Sequence, residues 1–254
     1  MSGRPSTAPT AAPKTAPKTA PKTAMVLAAG LGTRMCPLTS TMPKALIPVA
    51  GRTLIDRVLD KLVEAGITRA VVNVHHFADQ VEAHLKGRRD LEVLISDERA
   101  GLLDSGGGIQ HARRLLGDDP IMLANTDSLW LEQGRPALET LEAAWDAGRM
   151  DLLLLLVKRG QGIGFEGPQG FFMDEAGRLT HSTASDIVTP YANVGFGIMK
   201  PQALDDQPRG GAFSIYPTWR RLQAEGRLHG VPMDAFWMHV GDPPARDAAE
   251  ARLS

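Results

Sequence analysis

From Ala24 onward the chain alternates short, β-rich apolar runs with segments whose apolar residues recur at helical spacing, and few folds accept that rhythm. Met25-Val26-Leu27 opens it and ends in Ala28-Ala29-Gly30, the start of a glycine-bearing loop. Leu54, Ile55, Val58, Leu59, Leu62 and Val63 recur every three or four residues, and Gly66 reads as the stop of that helix. Ala70–Val74 is β-rich, Val81 and Leu85 mark a second helix, and Leu91–Ile95 is a further strand. Gly106–Leu116 then reads as helix, Ile121–Ala124 as strand and Pro136–Ala147 as helix. Leu152–Val157 is apolar at every position, the pattern of a central strand covered on both faces. This alternation predicts an α/β fold, a Rossmann-like and mostly parallel sheet flanked by helices.

After Arg159 the character changes. Glycines punctuate residues 160–170, and Phe171–Met173 and Leu179 flank Asp174-Glu175-Ala176-Gly177, a hairpin turn. Tyr191–Met199 reads as a strand, a helix follows near Trp219–Glu225, and strands are expected around Val231 and at Phe236–Val240. A smaller β-rich insertion of this kind is expected to wall a cleft. Open α/β sheets bind their ligands beyond the C-terminal strand ends, where the irregular loops of this chain fall.

Composition narrows the class. The chain has 254 residues, 43% of them hydrophobic, enough for one sizeable core rather than two small ones. Residues 1–23 stand apart: Ala-Pro-Lys-Thr occurs three times in succession, and Arg4, Lys14, Lys18 and Lys22 have no acid among them. Regular proline removes amide donors and no side chain there can build a core, so this segment is expected to be a disordered, polyproline-like tail before a single domain over residues 24–254. A net charge of −1 gives no global attraction to nucleic acid or to an anionic membrane. The lone Cys36 rules out an intramolecular disulfide framework and a cysteine-cluster metal site, and fits a reducing cytosol. No apolar run approaches the roughly 20 residues a membrane-spanning helix needs. The expectation is a cytoplasmic monomer or small homo-oligomer with small-molecule partners.

The most informative stretch runs from Leu27 to Thr39 and on to Pro43-Lys44. A strand feeds a loop of small residues, Ala28 to Gly32, whose amides can face an anion without Cβ atoms in the way. Gly30-Leu31-Gly32 fails the dinucleotide fingerprint, because Met35 takes the third glycine position, and lacks the Gly-Lys-Ser/Thr of a P-loop. Arg34 and Lys44 put two cations on the same loop, which together with the amides suits a triphosphate. Asp127, just after strand Ile121–Ala124, is placed to hold a hard cation, or else caps a helix beginning at Leu129-Trp130. The Gly106–Gly108 run either offers helix-terminal amides to a base or phosphate, or is simply permissive backbone. His75-His76 are adjacent, so on a strand they point apart and read as structural rather than metal-binding.

Leu-x-x-Gly-x-Gly-x-Arg-Met-x-Pro-Leu-Thr followed by Pro-Lys resembles the signature of the sugar-1-phosphate nucleotidyltransferases, or sugar-nucleotide pyrophosphorylases. The resemblance continues through Val49–Ile55, Leu103–Ile109, Asn125-Thr126-Asp127 and Trp237–Gly241. It implies a nucleotide-binding part over residues 24–157 and a sugar-binding part over residues 158–254. The implied roles are nucleotide binding by Ala28, Ala29, Gly30, Leu31, Gly32, Asp104 and Gly107, catalysis by Arg34 and Lys44, and sugar binding by Asn125 and Asn193. Asp127 is implied as the Mg²⁺ ligand, with Mn²⁺ as an alternative ion. Phe213–Pro217, Glu225–Leu228 and the Ser-Gly-Gly-Gly-Ile segment resemble the branch that uridylylates amino-sugar 1-phosphates in cell-wall recycling, which implies UTP and N-acetylmuramate 1-phosphate as substrates. Guanylyl or cytidylyl transfer on the same fold, and a catalytically weak regulatory subunit, are the competing readings. Thr126 departs from the glycine usual in the motif and is tolerable unless that residue needs positive φ. His239 departs from the aspartate that relatives use as second metal ligand, and imidazole suits a hard ion poorly; Asp242 is a candidate substitute.

Overall fold

The computed structural model describes residues 20–254. Most of the expected tail therefore lies outside the described residues, and its last residues are not tail. Strand β1 (Thr23–Leu27) starts at Thr23, and the Lys22 carbonyl accepts hydrogen bonds from the amides of Thr68 and Arg69 at 3.0 and 3.1 Å. Sheet register with Arg69 fixes this start, a long-range pairing that local composition does not encode.

After the loop, a short hairpin of β2 (Pro48–Val49) and β3 (Arg52–Thr53) leads into α1 (Leu54–Glu64). The Thr53 hydroxyl caps that helix by accepting from the Asp56 amide at 3.2 Å. Next come β4 (Arg69–Val74), α2 (Ala78–Leu85), β5 (Glu92–Asp97), α3 (Asp104–His111) and α4 (Arg113–Leu116). Then follow β6 (Ile121–Asn125), β7 (Ser128–Glu132), α5 (Ala137–Ala144), β8 (Leu152–Lys158) and β9 (Gly162–Ile163). The remainder holds β10 (Gly170–Met173), β11 (Leu179–Ser182), β12 (Tyr191–Met199), α6 (Tyr216–Ala224), β13 (Leu228–Pro232), β14 (Ala235–His239) and α7 (Pro243–Leu253).

The central sheet has the path β11-β10-β12-β6-β1-β4-β5, with β8 beside β12 and β13 beside β8. Strands β6, β1, β4 and β5 are mutually parallel, so their C-terminal ends share one edge. Strand β12 runs antiparallel to both β6 and β8, and a register shift between Asn193 and Gly197 lets one nine-residue strand serve two neighbours. The insertion after Arg159 thus extends the main sheet through β10, β11 and β12. A separate three-stranded sheet, β7-β14-β9, stands beside it.

The uniform run Leu152–Val157 is central, as its composition predicts. Leu153, Leu155 and Val157 enter the core cluster shared with α1 and β4, whereas Leu152, Leu154 and Leu156 enter the cluster shared with α6. A pleated strand sends successive side chains to opposite faces, so two separate cores require an unbroken apolar sequence. Five elements escape the sequence reading, the two-residue strands β2, β3 and β9 among them. Strand β7 lies where a helix was one alternative, and α7 fully buries only Ala245 and Ala249, too small a stripe to read. At the sheet end away from the irregular loops, Asp151 receives Arg227 and, at 2.8 Å, the Lys200 ammonium. Among the described residues no helix is long and apolar enough to cross a membrane.

Candidate active site

A cleft of about 560 Å³ opens at the C-terminal ends of the parallel strands. Its wall includes Ala28, Ala29, Gly30, Gly32, Arg34, Lys44, Asp104, Asn125 and Asp127, so most of the residues singled out in the sequence converge on one space. Leu31, 42% exposed, is not among the residues that line it.

The loop after β1 is built around Gly32. Its φ of 65° is left-handed, and a Cβ there would stand 2.9 Å from Thr39 Cγ2 and 3.0 Å from Lys44 Cβ. The missing side chain lets the lysine-bearing segment pack against the loop. Its carbonyl accepts from the Met35 amide at 2.8 Å and the Thr39 hydroxyl at 2.9 Å, closing the turn that carries Arg34. The nucleotide role expected of every amide from Ala28 to Gly32 needs correction. Ala28 and Ala29 donate to Asn73 Oδ1 at 2.7 and 3.3 Å and are already satisfied. The amides of Gly30, Leu31 and Gly32 have no acceptor among the described residues, so these three remain for an anion.

Lys44 Nζ lies 2.8 Å from Asp127 Oδ2, with both side chains partly buried. Asp127 precedes a strand, so the helix-cap alternative is excluded. Pairing of β7 with β14 sets His239 opposite Ser128, and the Val240 amide donates to the Asp127 carbonyl at 2.8 Å. That register brings His239 Nε2 to 3.4 Å from Asp127 Oδ2. Burial pushes the Asp127 carboxyl up, but the His239 contact and the Lys44 charge outweigh it and hold the group well below the usual carboxylate range. Arg34 forms no ion pair among the described residues; at the cleft wall its Nη1 lies 3.4 Å from where a Cβ at Gly241 would stand.

The donor set bears on the implied metal. His239 Nδ1 is 3.0 Å from the Gly164 carbonyl, an acceptor, so that nitrogen carries a proton and Nε2 turns to the carboxylate. A proton or a cation on Nε2 satisfies both neighbours, and a backbone carbonyl behind the ring is the usual support of a ligating histidine. Among the described residues no group of three or more His, Cys, Asp and Glu could hold an ion without help. Asp127 alone is a hard oxygen ligand, which fits an ion completed by substrate phosphates and water. Asp242, the candidate substitute, does not line the cleft, and its Oδ1 caps α7 by accepting from Ala245 N at 2.9 Å.

Other expectations divide. Asn125 and Thr126 line the cleft, and Thr126 avoids positive φ, so its departure from glycine is tolerated. Asn193 does not line the cleft; its side chain accepts from the Gly195 amide at 2.9 Å and supports the irregular turn of β12. Asp104 opens α3 at the cleft with φ 60°. Gly107 is corrected: its amide donates to the Phe213 carbonyl at 2.9 Å and is not available to a base. Cβ atoms at Gly106 and Gly107 would lie 2.5 Å from the Phe213 ring and 2.7 Å from the Gly211 carbonyl. These glycines receive the strap 211–215, pinned also by Phe213 N to Leu103 O and by Ile215 N to Ser105 Oγ, both at 3.1 Å. The strap brings Ala212 into the cleft wall. His75 and His76 follow β4 rather than lying on it, and His75 Nδ1 is 2.7 Å from the Glu98 carbonyl.

Asn73 and Glu98, 3% and 2% exposed, were missed. A lone amide inside the run Val71-Val72-Asn73-Val74 was the available signal, because a buried polar side chain on a core strand must have partners. Nothing local marks Glu98.

The MobA-like NTP transferase domain family matches residues 24–162. The chain is 50% identical over 234 residues to an N-acetylmuramate alpha-1-phosphate uridylyltransferase of Caulobacter vibrioides, covering 91% of this chain and 96% of that protein. A protein of the same description from Neisseria meningitidis serogroup B is 31% identical over 85% of this chain and 92% of its own length. The inositol-1-phosphate CTP transferase from T. maritima superposes with a TM-score of 0.75 at 18% identity, over 92% of this chain and 97% of that one, a likeness of fold. With the cations, open amides and carboxylate assembled at the strand ends, this chain belongs to the sugar-1-phosphate nucleotidyltransferase family.

Proposed function

We propose that this enzyme transfers the uridylyl group of UTP to the 1-phosphate of N-acetylmuramate and releases pyrophosphate. The observation that carries the reading is the convergence of Arg34, Lys44 and Asp127 on a loop with three open amides. An oxygen of the sugar phosphate attacks the α-phosphorus, a new P–O bond forms, and the bond from the α-phosphorus to the bridging oxygen breaks, sending its electrons to pyrophosphate. Two anions must meet for this to happen, so positioning and charge compensation supply most of the catalysis. No side-chain nucleophile is needed.

The Gly30–Gly32 amides hold the β- and γ-phosphates, and Arg34 meets the charge that grows on the leaving pyrophosphate. Lys44, on a flexible stem, meets the α-phosphate. Leu102, Asp104, Ser105 and Ala212, on the α3 and strap side of the cleft, would receive the base. The relatives described as N-acetylmuramate alpha-1-phosphate uridylyltransferases support the choice of sugar. Asp127, with His239 beside it, would hold Mg²⁺ or Mn²⁺, which when bound screens the charge between the two phosphates. His239→Asp is expected to lower the Mg²⁺ needed for half-maximal activity, read from a metal titration; an unchanged requirement removes His239 from the metal site.

The test is pyrophosphate release with each of the four NTPs over a panel of sugar 1-phosphates. Turnover is expected with UTP and N-acetylmuramate 1-phosphate. Robust product with GTP and mannose 1-phosphate, and none with UTP, overturns the reading.

A further inference from the structure

A hydrogen-bonded bridge runs beneath the cleft and joins its two ends. Asn73, near the end of β4, accepts from Ala28 N and Ala29 N on one side and donates through Nδ2 to Glu98 Oε1 at 2.8 Å on the other. Glu98, just beyond β5, uses its second oxygen to accept from Leu103 N at 3.2 Å. Three neighbouring parallel strands thereby tie the loop that holds the open amides to the segment that opens α3. The third glycine of the run makes room for the bridge, since a Cβ at Gly108 would stand 2.7 Å from Glu98 Oε1 and 2.9 Å from Asn73 Nδ2.

We infer that Asn73 is a positioning residue for the nucleotide, acting with Glu98 to fix the distance between the phosphate end and the base end of the cleft. This rests on the cleft being the NTP site. The directions of the bonds support it. Asn73 consumes the two amides nearest β1, and the next three, of Gly30, Leu31 and Gly32, have no partner among the described residues. Glu98 holds Leu103, the residue that also receives the strap through its carbonyl. A nucleotide spanning both ends needs them in register, whereas a sugar 1-phosphate bound at the phosphate end alone does not. The carboxylate has no cation partner among the described residues, so its cost of burial is met by these hydrogen bonds and is lost when either is broken.

The pattern of donors suggests a swap. Asn73→Asp alone sets two carboxylates together, and Glu98→Gln alone cannot accept at both of its atoms. Combined, the two changes reverse one donor and acceptor and restore every bond at the same net charge. Each single variant is expected to raise the UTP KM and Kd by about tenfold or more, the effect of a buried polar group left unpaired. The KM for N-acetylmuramate 1-phosphate stays within about twofold, and the double variant returns to within about threefold of the parent for UTP. UTP binding is read by calorimetry and turnover by pyrophosphate release, with melting temperature measured alongside. If a single variant fails to fold, Asn73→Ser, which removes both the shared acceptor and the Nδ2 donor without adding bulk or charge, is expected to show the same selective loss for UTP. Unchanged UTP affinity in folded variants, equal loss for both substrates, or a folded double variant no better than the singles overturns the inference. A parent that neither binds UTP nor releases pyrophosphate overturns both readings; a working parent with indifferent variants overturns the bridge alone.

Discussion

Two glycine-bearing segments border the same cleft and use glycine in opposite ways. At Gly30–Gly32 the backbone is the exposed feature, because three amides have no partner among the described residues. At Gly106–Gly108 the absent side chains are the functional feature, because the strap, Glu98 and Asn73 occupy the space where Cβ atoms would be. In sequence both look like anion-binding backbone, and only the first leaves its amides open among the described residues. A glycine's role follows from what approaches it, and that is a long-range property.

Substitutions at the charges beside the first segment should have the largest effect. Asp127→Asn is expected to abolish turnover at any practical Mg²⁺ concentration, and Lys44→Ala and Arg34→Ala each to lower kcat by about 10²–10³-fold with a smaller change in KM. Steady-state kinetics check this; near-normal kcat in either cation variant would make that residue a solvated surface charge. The ion cluster at the opposite end of the sheet gives a contrast that concerns folding alone. The Arg227 hydrogen bond, assisted by Lys200 against partial burial, lowers the Asp151 carboxyl to about 2. A depressed pKa contributes stability above the unfolded value near 3.8 that is lost as pH falls through about 2, here about 2 kcal/mol. Asp151→Asn should therefore unfold earlier than the parent at pH 7 and about equally at pH 2, in urea titrations.

The next pair breaks the comparison directly. Gly107→Ala meets the Gly211 carbonyl and should cost about 1–2 kcal/mol, a fall of several degrees in Tm, despite the better helix propensity of alanine. Gly30→Ala meets nothing within 4 Å and should leave Tm unchanged while raising the KM for the nucleotide, since its Cβ stands beside the open amides. The reverse pattern in calorimetry and kinetics would mean the two segments have exchanged roles. Smallest of all is deletion of residues 2–19, which touches none of the β1 pairing and should alter neither Tm nor turnover; extending it through Thr23 should lower Tm, because the Lys22 carbonyl and the first rung of β1 are lost.

Much of the architecture was legible because hydrophobic period is local. Leu54 to Val63 repeats every three or four residues and is a helix; Leu152–Val157 repeats at none and is a strand between two cores. The loop from Ala28 to Lys44 was legible for a related reason: its turn, its small residues and its two cations lie within one short stretch. Strand β7 and helix α7 were not, since each depends on a partner remote in sequence.

What the sequence determined by itself is the α/β class, the cleft-side loop, and the identities of Arg34, Lys44 and Asp127. Tertiary structure alone decided which amides stay open, that His239 stands beside Asp127 through β14 register, and that Asn73 and Glu98 bridge the two ends. The reason is physical. Periodicity and turn chemistry act between residues a few positions apart, whereas a hydrogen bond between Ala28 and Asn73, or the contact of Gly107 with Gly211, exists only after distant segments have packed, and the same side chains would otherwise be read as solvated.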